Sequence, residues 1–76
     1  NWAEVNLDML TNFFGADDVI NLESLRAVGL AKNRDHGIRI LGRGELTVAL
    51  KIEASHVTAG AKKKIEAAGG SITIVE

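Results

Sequence analysis

Apolar residues recur along this chain with two different periods, and the change from one to the other divides it. Near the amino end two segments read alike at a shift of 15 positions, "VNLDML" (Val5 to Leu10) and "INLESL" (Ile20 to Leu25). Each runs apolar, Asn, Leu, acid, any residue, Leu. That is the chemistry of a helix start: Asn6 or Asn21 stands as N-cap with a side-chain oxygen for the free backbone N–H groups, and Asp8 or Glu23 follows in the first turn, at the positive end of the dipole. Val5 with Leu10, and Ile20 with Leu25, take the flanking positions of a hydrophobic staple. Short stripes follow. Leu7, Leu10 and Phe13 mark the first predicted helix; Leu22, Leu25 and Val28 mark the second, which Gly29 ends in a left-handed conformation with apolar Leu30 beyond it. The echo reads as a structural unit used twice, too short for a solenoid.

From Gly37 the period is two. Ile38 and Ile40 share one face of a short strand. Further on, Leu46, Val48, Leu50, Ile52 and Ala54 alternate with Glu45, Thr47, Ala49, Lys51 and Glu53, which predicts one long strand. Between the two lies "LGRGEL" (Leu41 to Leu46), where Gly42 and Gly44 are expected to supply positive φ for a hairpin turn or bulge and to leave Arg43 at its tip. Thr58 caps a third helix, in which Ala61, Ile65 and Ala68 form a narrow apolar stripe beside Lys62, Lys63 and Lys64. Gly69 stops that helix and Gly70 turns the chain into a last strand with Ile72 and Ile74 on one face. Residues Gly15 to Asp18 and Ala31 to His36 read as loops. Strands and helices interleave throughout, so the expected architecture is one α/β domain over residues 1–76, with irregular β-β-α type units around a small sheet.

Composition narrows this further. The 76 residues include no cysteine and no proline. A chain of this size buries only about 60% of the surface its unfolded form exposes, so one small core is expected. No disulfide or thiolate metal cage can form, and no apolar stretch approaches the roughly 20 residues a bilayer requires. The chain opens on Asn1 rather than methionine, and is expected to be part of something longer. Its net charge of −1 hides an asymmetry: residues 1–23 carry five acids and no Lys or Arg, whereas residues 24–76 carry nine basic and five acidic residues. A basic half can meet a polyanion while an acidic half faces elsewhere.

Catalytic chemistry finds little support. The glycines around Arg43 match neither a dinucleotide fingerprint nor a Walker loop, and they lead into a strand rather than a helix N-terminus that could receive phosphate. Ser55 and His56 are neighbours on an extended segment, so their side chains point to opposite faces and cannot act as nucleophile and base. His36 and His56 are the only histidines, too few for a metal site without thiolates. No enzyme, metal or cofactor is expected. The strongest chemical feature is the triple lysine: helical residues step by about 100°, so Lys62, Lys63 and Lys64 fan across a wide arc that suits phosphate backbone. The competing reading is a solvated face with a Lys62 to Glu66 contact. Trp2, Phe13 and Phe14 lie in the acidic half and are expected to pack inside, which argues against readout of single strands.

Two longer runs, "ILGRGELTVALKI" and "TAGAKKKIEAAGGSITIV", resemble the carboxy-terminal part of the large-subunit ribosomal protein L-fifteen family, related to the L-eighteen-e proteins. The likeness is close at Leu41, Gly42, Gly44, Glu45 and Leu46 and closer from Ile65 to Gly70, and the two Asn-Leu-acid segments resemble the family's helical entries. It implies a structural constituent of the large subunit in a bacterial or organellar ribosome, held against large-subunit rRNA and neighbouring ribosomal proteins, with no small-molecule substrate and no membrane. In that family a basic, glycine-rich amino-terminal arm precedes the globular domain; that arm is not included in this sequence. Val48 and Glu53 stand where the family often has lysine, His56 lies one place after the usual histidine, and Lys63 replaces a frequent glutamate. Those departures weaken RNA contact by the long strand and move the expected contacts to Lys62, Lys63, Lys64, Arg43 and Arg39, with Lys51, Arg34 and Lys32 behind them. The alternative from another class is a protein-protein interaction module that works through the acidic half and has little RNA affinity of its own.

Overall fold

The computed structural model describes residues 1–75. Six strands and three helices follow in the order β1 (Ala3–Asn6), α1 (Leu7–Thr11), β2 (Val19–Ile20), α2 (Leu22–Ala27), β3 (Ile38–Leu41), β4 (Lys51–Ala54), β5 (His56–Val57), α3 (Ala59–Ala67) and β6 (Ser71–Ile74). The α/β expectation holds, and the strands form two sheets. One has the order β1-β3-β5 and the other β2-β4-β6, with every pairing parallel. Successive strands therefore alternate between the sheets, and the chain winds as a three-turn superhelix that adds one strand to each sheet per turn.

The echo in the sequence is the corner of this superhelix. A β-branched strand residue stands just before a polar cap, and the helix begins after it: Val5, Asn6, Leu7 in one sheet, Ile20, Asn21, Leu22 in the other. The corner recurs once more at Val57, Thr58, Ala59, so the unit serves three times rather than two. Register explains why the position before the cap must be β-branched. Val5 pairs with Ile40 and Ile40 with Val57 across the first sheet, while Ile20 pairs with Ile52 and Ile52 with Ile72 across the second. Stiff side chains of this kind fit a pleated, half-buried surface. Val5, Ile20, Ile40 and Ile52 are buried to 1% exposure or less, and Leu7, Leu10, Leu25, Leu50 and Ile65 close the core around them.

Both C-termini that matter follow the glycine rule. Gly29 (φ +83°) and Gly69 (φ +84°) are left-handed. The pairs Gly29 N–H to Arg26 O (3.1 Å) with Leu30 N–H to Leu25 O (2.9 Å), and Gly69 N–H to Glu66 O (3.0 Å) with Gly70 N–H to Ile65 O (2.9 Å), complete the two-bond termination that such a glycine permits.

Four expectations change. The long strand from Leu46 shortens to β4, Lys51–Ala54: alternation reports an extended backbone with one buried face, and Leu46 and Leu50 are indeed buried, but a ladder needs a partner strand along its length. No hairpin forms, because Gly42 to Gly44 leave the first sheet and lead towards the second. Phe13 lies beyond the end of α1 and is 52% exposed, and Trp2 is 45% exposed, so only Phe14 of the three aromatics packs against the core. Nor does the acidic half face elsewhere. Parallel pairing of β1 with β3 sets Glu4 in register with Arg39.

Candidate nucleic-acid interface

The Gly42–Gly44 segment is clamped between two helices, and both glycines are needed for that fit. A Cβ on Gly42 would lie 2.9 Å from the Ala61 backbone nitrogen in the first turn of α3, and one on Gly44 would lie 2.5 Å from the Asp8 Cβ of α1. Gly44 also has φ +93°, where side chains are strained, whereas Gly42 is required for close approach alone. The lysine at the last turn of α3 then fixes the loop. Lys64 Nζ donates to Gly42 O at 3.0 Å and to Gly44 O at 2.7 Å, and stands 3.3 Å from Glu45 Oε2. Its three ammonium donors are thereby directed to the protein itself, and its role in the fold is that of a tether.

Arg43, between the two carbonyls, has to turn outward. Its N–H donates to Asn6 Oδ1 at 3.2 Å, so the Asn6 side chain, expected to cap α1, is turned to the loop instead and makes no side-chain cap bond to the helix it precedes. The Arg43 guanidinium Nε meets Asp8 Oδ2 at 3.2 Å, yet 70% of its side chain remains exposed. Lys62 and Lys63, held by a helix whose cap, Thr58 Oγ1, accepts from the Ala61 N–H at 3.3 Å, are exposed. Among the described residues neither takes part in an ion pair; the Lys62 to Glu66 contact allowed by spacing is not formed, and α3 directs its one ion pair to Glu45. The loop thus carries Arg43 outward beside the tethering Lys64, while Lys62 and Lys63 are exposed on the same helix that supplies Lys64.

The remaining candidates lie apart from it. Arg39 is on the outer face of the first sheet, paired with Glu4 at 3.4 Å. Lys51 is on the second sheet, exposed, in register between Val19 and Ser71. Lys32 and Arg34 are exposed in the loop that precedes β3, at the opposite end of that strand from Arg43. That loop is shaped by buried Asp35, whose Oδ2 accepts from the Lys32 N–H at 2.9 Å, and by Arg26, which donates to the carbonyls of Lys32 and Asp35.

Asn21 accepts from the Ser24 N–H at 2.9 Å while Ser24 Oγ accepts from the Asn21 N–H at 2.9 Å, a reciprocal cap for α2. Next to it opens a cleft of about 430 Å³ with Glu23, Arg26, Glu53 and Ser55 among its walls. Ser55 Oγ is engaged with the Ile38 N–H at 3.3 Å. Among the described residues no group of His, Asp and Glu is arranged to hold a metal ion, and no helix is long and apolar enough to cross a membrane.

Two residues outside the basic list belong to the same surface as Arg39. The Arg39 guanidinium carbon lies 5.4 Å from the centroid of the Trp2 ring, and exposed His56 is in register with Arg39 on the next strand. The signal for Trp2 was present in the alternation: Trp2, Glu4 and Asn6 share the face opposite Ala3 and Val5.

Residues 4–73 match the family described as "Ribosomal proteins 50S-L15, 50S-L18e, 60S-L27A". Among curated proteins the chain is similar to that named "Large ribosomal subunit protein uL15" in Picosynechococcus sp., 48% identical over 71 residues, which cover 93% of this chain and 48% of the relative. It is similar to the protein of the same name in Desulfosudis oleivorans, 42% identical over 73 residues (96% and 49%), and in Lactobacillus helveticus, 42% identical over 74 residues (97% and 50%). The chain spans about half the length of the curated relatives it matches.

Proposed function

The chain belongs to the ribosomal protein family of 50S-L15, 50S-L18e and 60S-L27A, and on that premise we propose that it is a structural, non-catalytic constituent of the large ribosomal subunit that docks on large-subunit rRNA through phosphate and shape contacts. The observation that carries the rRNA reading is the hold of Lys64 on the Gly42–Gly44 loop beside α3. Arg43 projects from that held loop, and Lys62 and Lys63 are exposed on the helix that supplies Lys64. A loop and a helix already ordered by the fold present these cations to phosphate without a backbone ordering cost, and each contact releases condensed counterions without reading base identity. Arg39 and Lys51 stand on separate sheets, and Lys32 and Arg34 at the far end of β3, so they extend the footprint only along RNA that wraps the domain. Neighbouring ribosomal proteins complete the proposed setting, in cytoplasmic or organellar ribosomes.

Titration of the 76-residue chain with large-subunit rRNA fragments at several salt concentrations tests this. Affinity should fall with salt, and Arg43→Ala with Lys62→Ala and Lys63→Ala should flatten the log–log slope by about 0.7–0.9 for each phosphate that is no longer neutralised. Absence of binding at low salt would overturn the reading and favour a module that binds only other proteins.

A further inference from the structure

Trp2 is neither loose nor buried. Its backbone is pinned on both sides, by the His36 N–H donating to Asn1 O at 3.0 Å and the Ala3 N–H donating to Gly37 O at 2.9 Å. Its ring lies so close to the Gly37 backbone that a Cβ there would meet the indole Nε1 at 2.5 Å. The Arg39 guanidinium carbon stands 5.4 Å from the ring centroid, and Glu4 orients that guanidinium from the adjacent strand at 3.4 Å. Arg39 Nε is buried with no hydrogen-bond partner among the described residues. With all this seating, 45% of Trp2 remains exposed. The next outward residue of the same register row, His56, adds a second ring with hydrogen-bonding nitrogens.

We propose that this outer face of the first sheet, Trp2 with Arg39 and His56, is a stacking platform for an unpaired nucleobase of RNA. Planar groups of this kind, an indole and a guanidinium held in place by the fold, are what splayed bases stack upon, and base–aromatic stacking tolerates any base because each has a π face. A paired duplex buries its base faces and offers phosphates, 2′-hydroxyls and groove edges instead. The platform rests on RNA being the partner, as proposed above, but it uses residues other than Arg43, Lys62 and Lys63 and makes a demand that phosphate contact does not: the RNA has to be locally single-stranded.

Trp2 is the only tryptophan, so its fluorescence reports on this face alone. The 76-residue chain would be titrated with a short end-labelled single-stranded oligoribonucleotide and with a duplex of the same length, following indole emission and label anisotropy together. The single strand should quench Trp2 and the duplex should bind with little quenching. Trp2→Ala should weaken single-strand binding by about 5- to 150-fold, corresponding to about 1–3 kcal/mol per stacked base, with duplex affinity unchanged; Trp2→Phe should restore most of the loss. Arg39→Lys, which keeps the charge and removes the plane, should also weaken the single strand selectively. Duplex and single strand bound with equal loss in the variants, or with none, would overturn the platform and leave the phosphate reading standing. No anisotropy change with either RNA at low salt would overturn both.

Discussion

Gly44 carries φ +93° and lies against Asp8, whereas Gly60, in the first turn of α3, has nothing within 4 Å of where a Cβ would stand. The same substitution should therefore act in opposite directions at the two sites. Gly44→Ala adds backbone strain and a clash with α1, and should lower stability by about 2 kcal/mol or more; Gly60→Ala meets no obstacle and should raise it by about 0.5 kcal/mol, read from urea unfolding midpoints at unchanged slope. The lysines divide in a similar way. Lys64→Ala removes two bonds to loop carbonyls, and with the side chain about one-third exposed should cost about 1 kcal/mol. Lys62→Ala and Lys63→Ala, exposed and unpaired among the described residues, should stay within about 0.5 kcal/mol of the parent. Nothing in the run of three identical residues distinguishes them, since the difference lies in which one reaches back to Gly42 and Gly44. That contact joins segments about twenty residues apart, and so it was not legible in the sequence.

The helices are short, six residues in α2 and nine in α3, too short to persist in water on propensity alone. Their caps consequently matter more than their interiors. Asn21→Ala and Ser24→Ala each break one half of the reciprocal cap and should each cost about 1 kcal/mol, with the double variant costing clearly less than the sum, as measured in a double-mutant cycle by chemical denaturation. These elements were well marked in the sequence, because a cap, a staple and a terminal glycine are local devices: Asn21, Thr58, Gly29 and Gly69 stand where the spacing predicts. The strands were less so. Alternation from Leu46 to Ala54 identifies the buried face correctly, but the point where pairing begins depends on Val19 and Ser71 arriving beside Lys51, and periodicity within one segment carries no information about its partners. The outward face of β1 was legible by parity, whereas its pairing with Arg39 required knowledge of the register.

Every strand pair among the described residues joins distant parts of the chain, Ala3 to Ile38, Val19 to Lys51, Arg39 to His56 and Lys51 to Ser71. Non-local parallel pairing carries its loop-closure entropy before it is rewarded, so refolding should occupy the millisecond-to-second range rather than microseconds, as stopped-flow tryptophan fluorescence through Trp2 would record. The sequence pattern suggested a small sheet and a unit used twice; it could not display two sheets, because an interleaved order of strands looks the same on paper as a consecutive one. Interleaving also governs how the polypeptide can mature as it is synthesised. Neither sheet is finished until the third turn of the winding is in hand, and the third strand of the second sheet, Ser71–Ile74, comes after the other elements among the described residues. The nascent domain must remain unlaced on one side until that strand has emerged, and a loss or duplication that respected this architecture would have to proceed by whole turns.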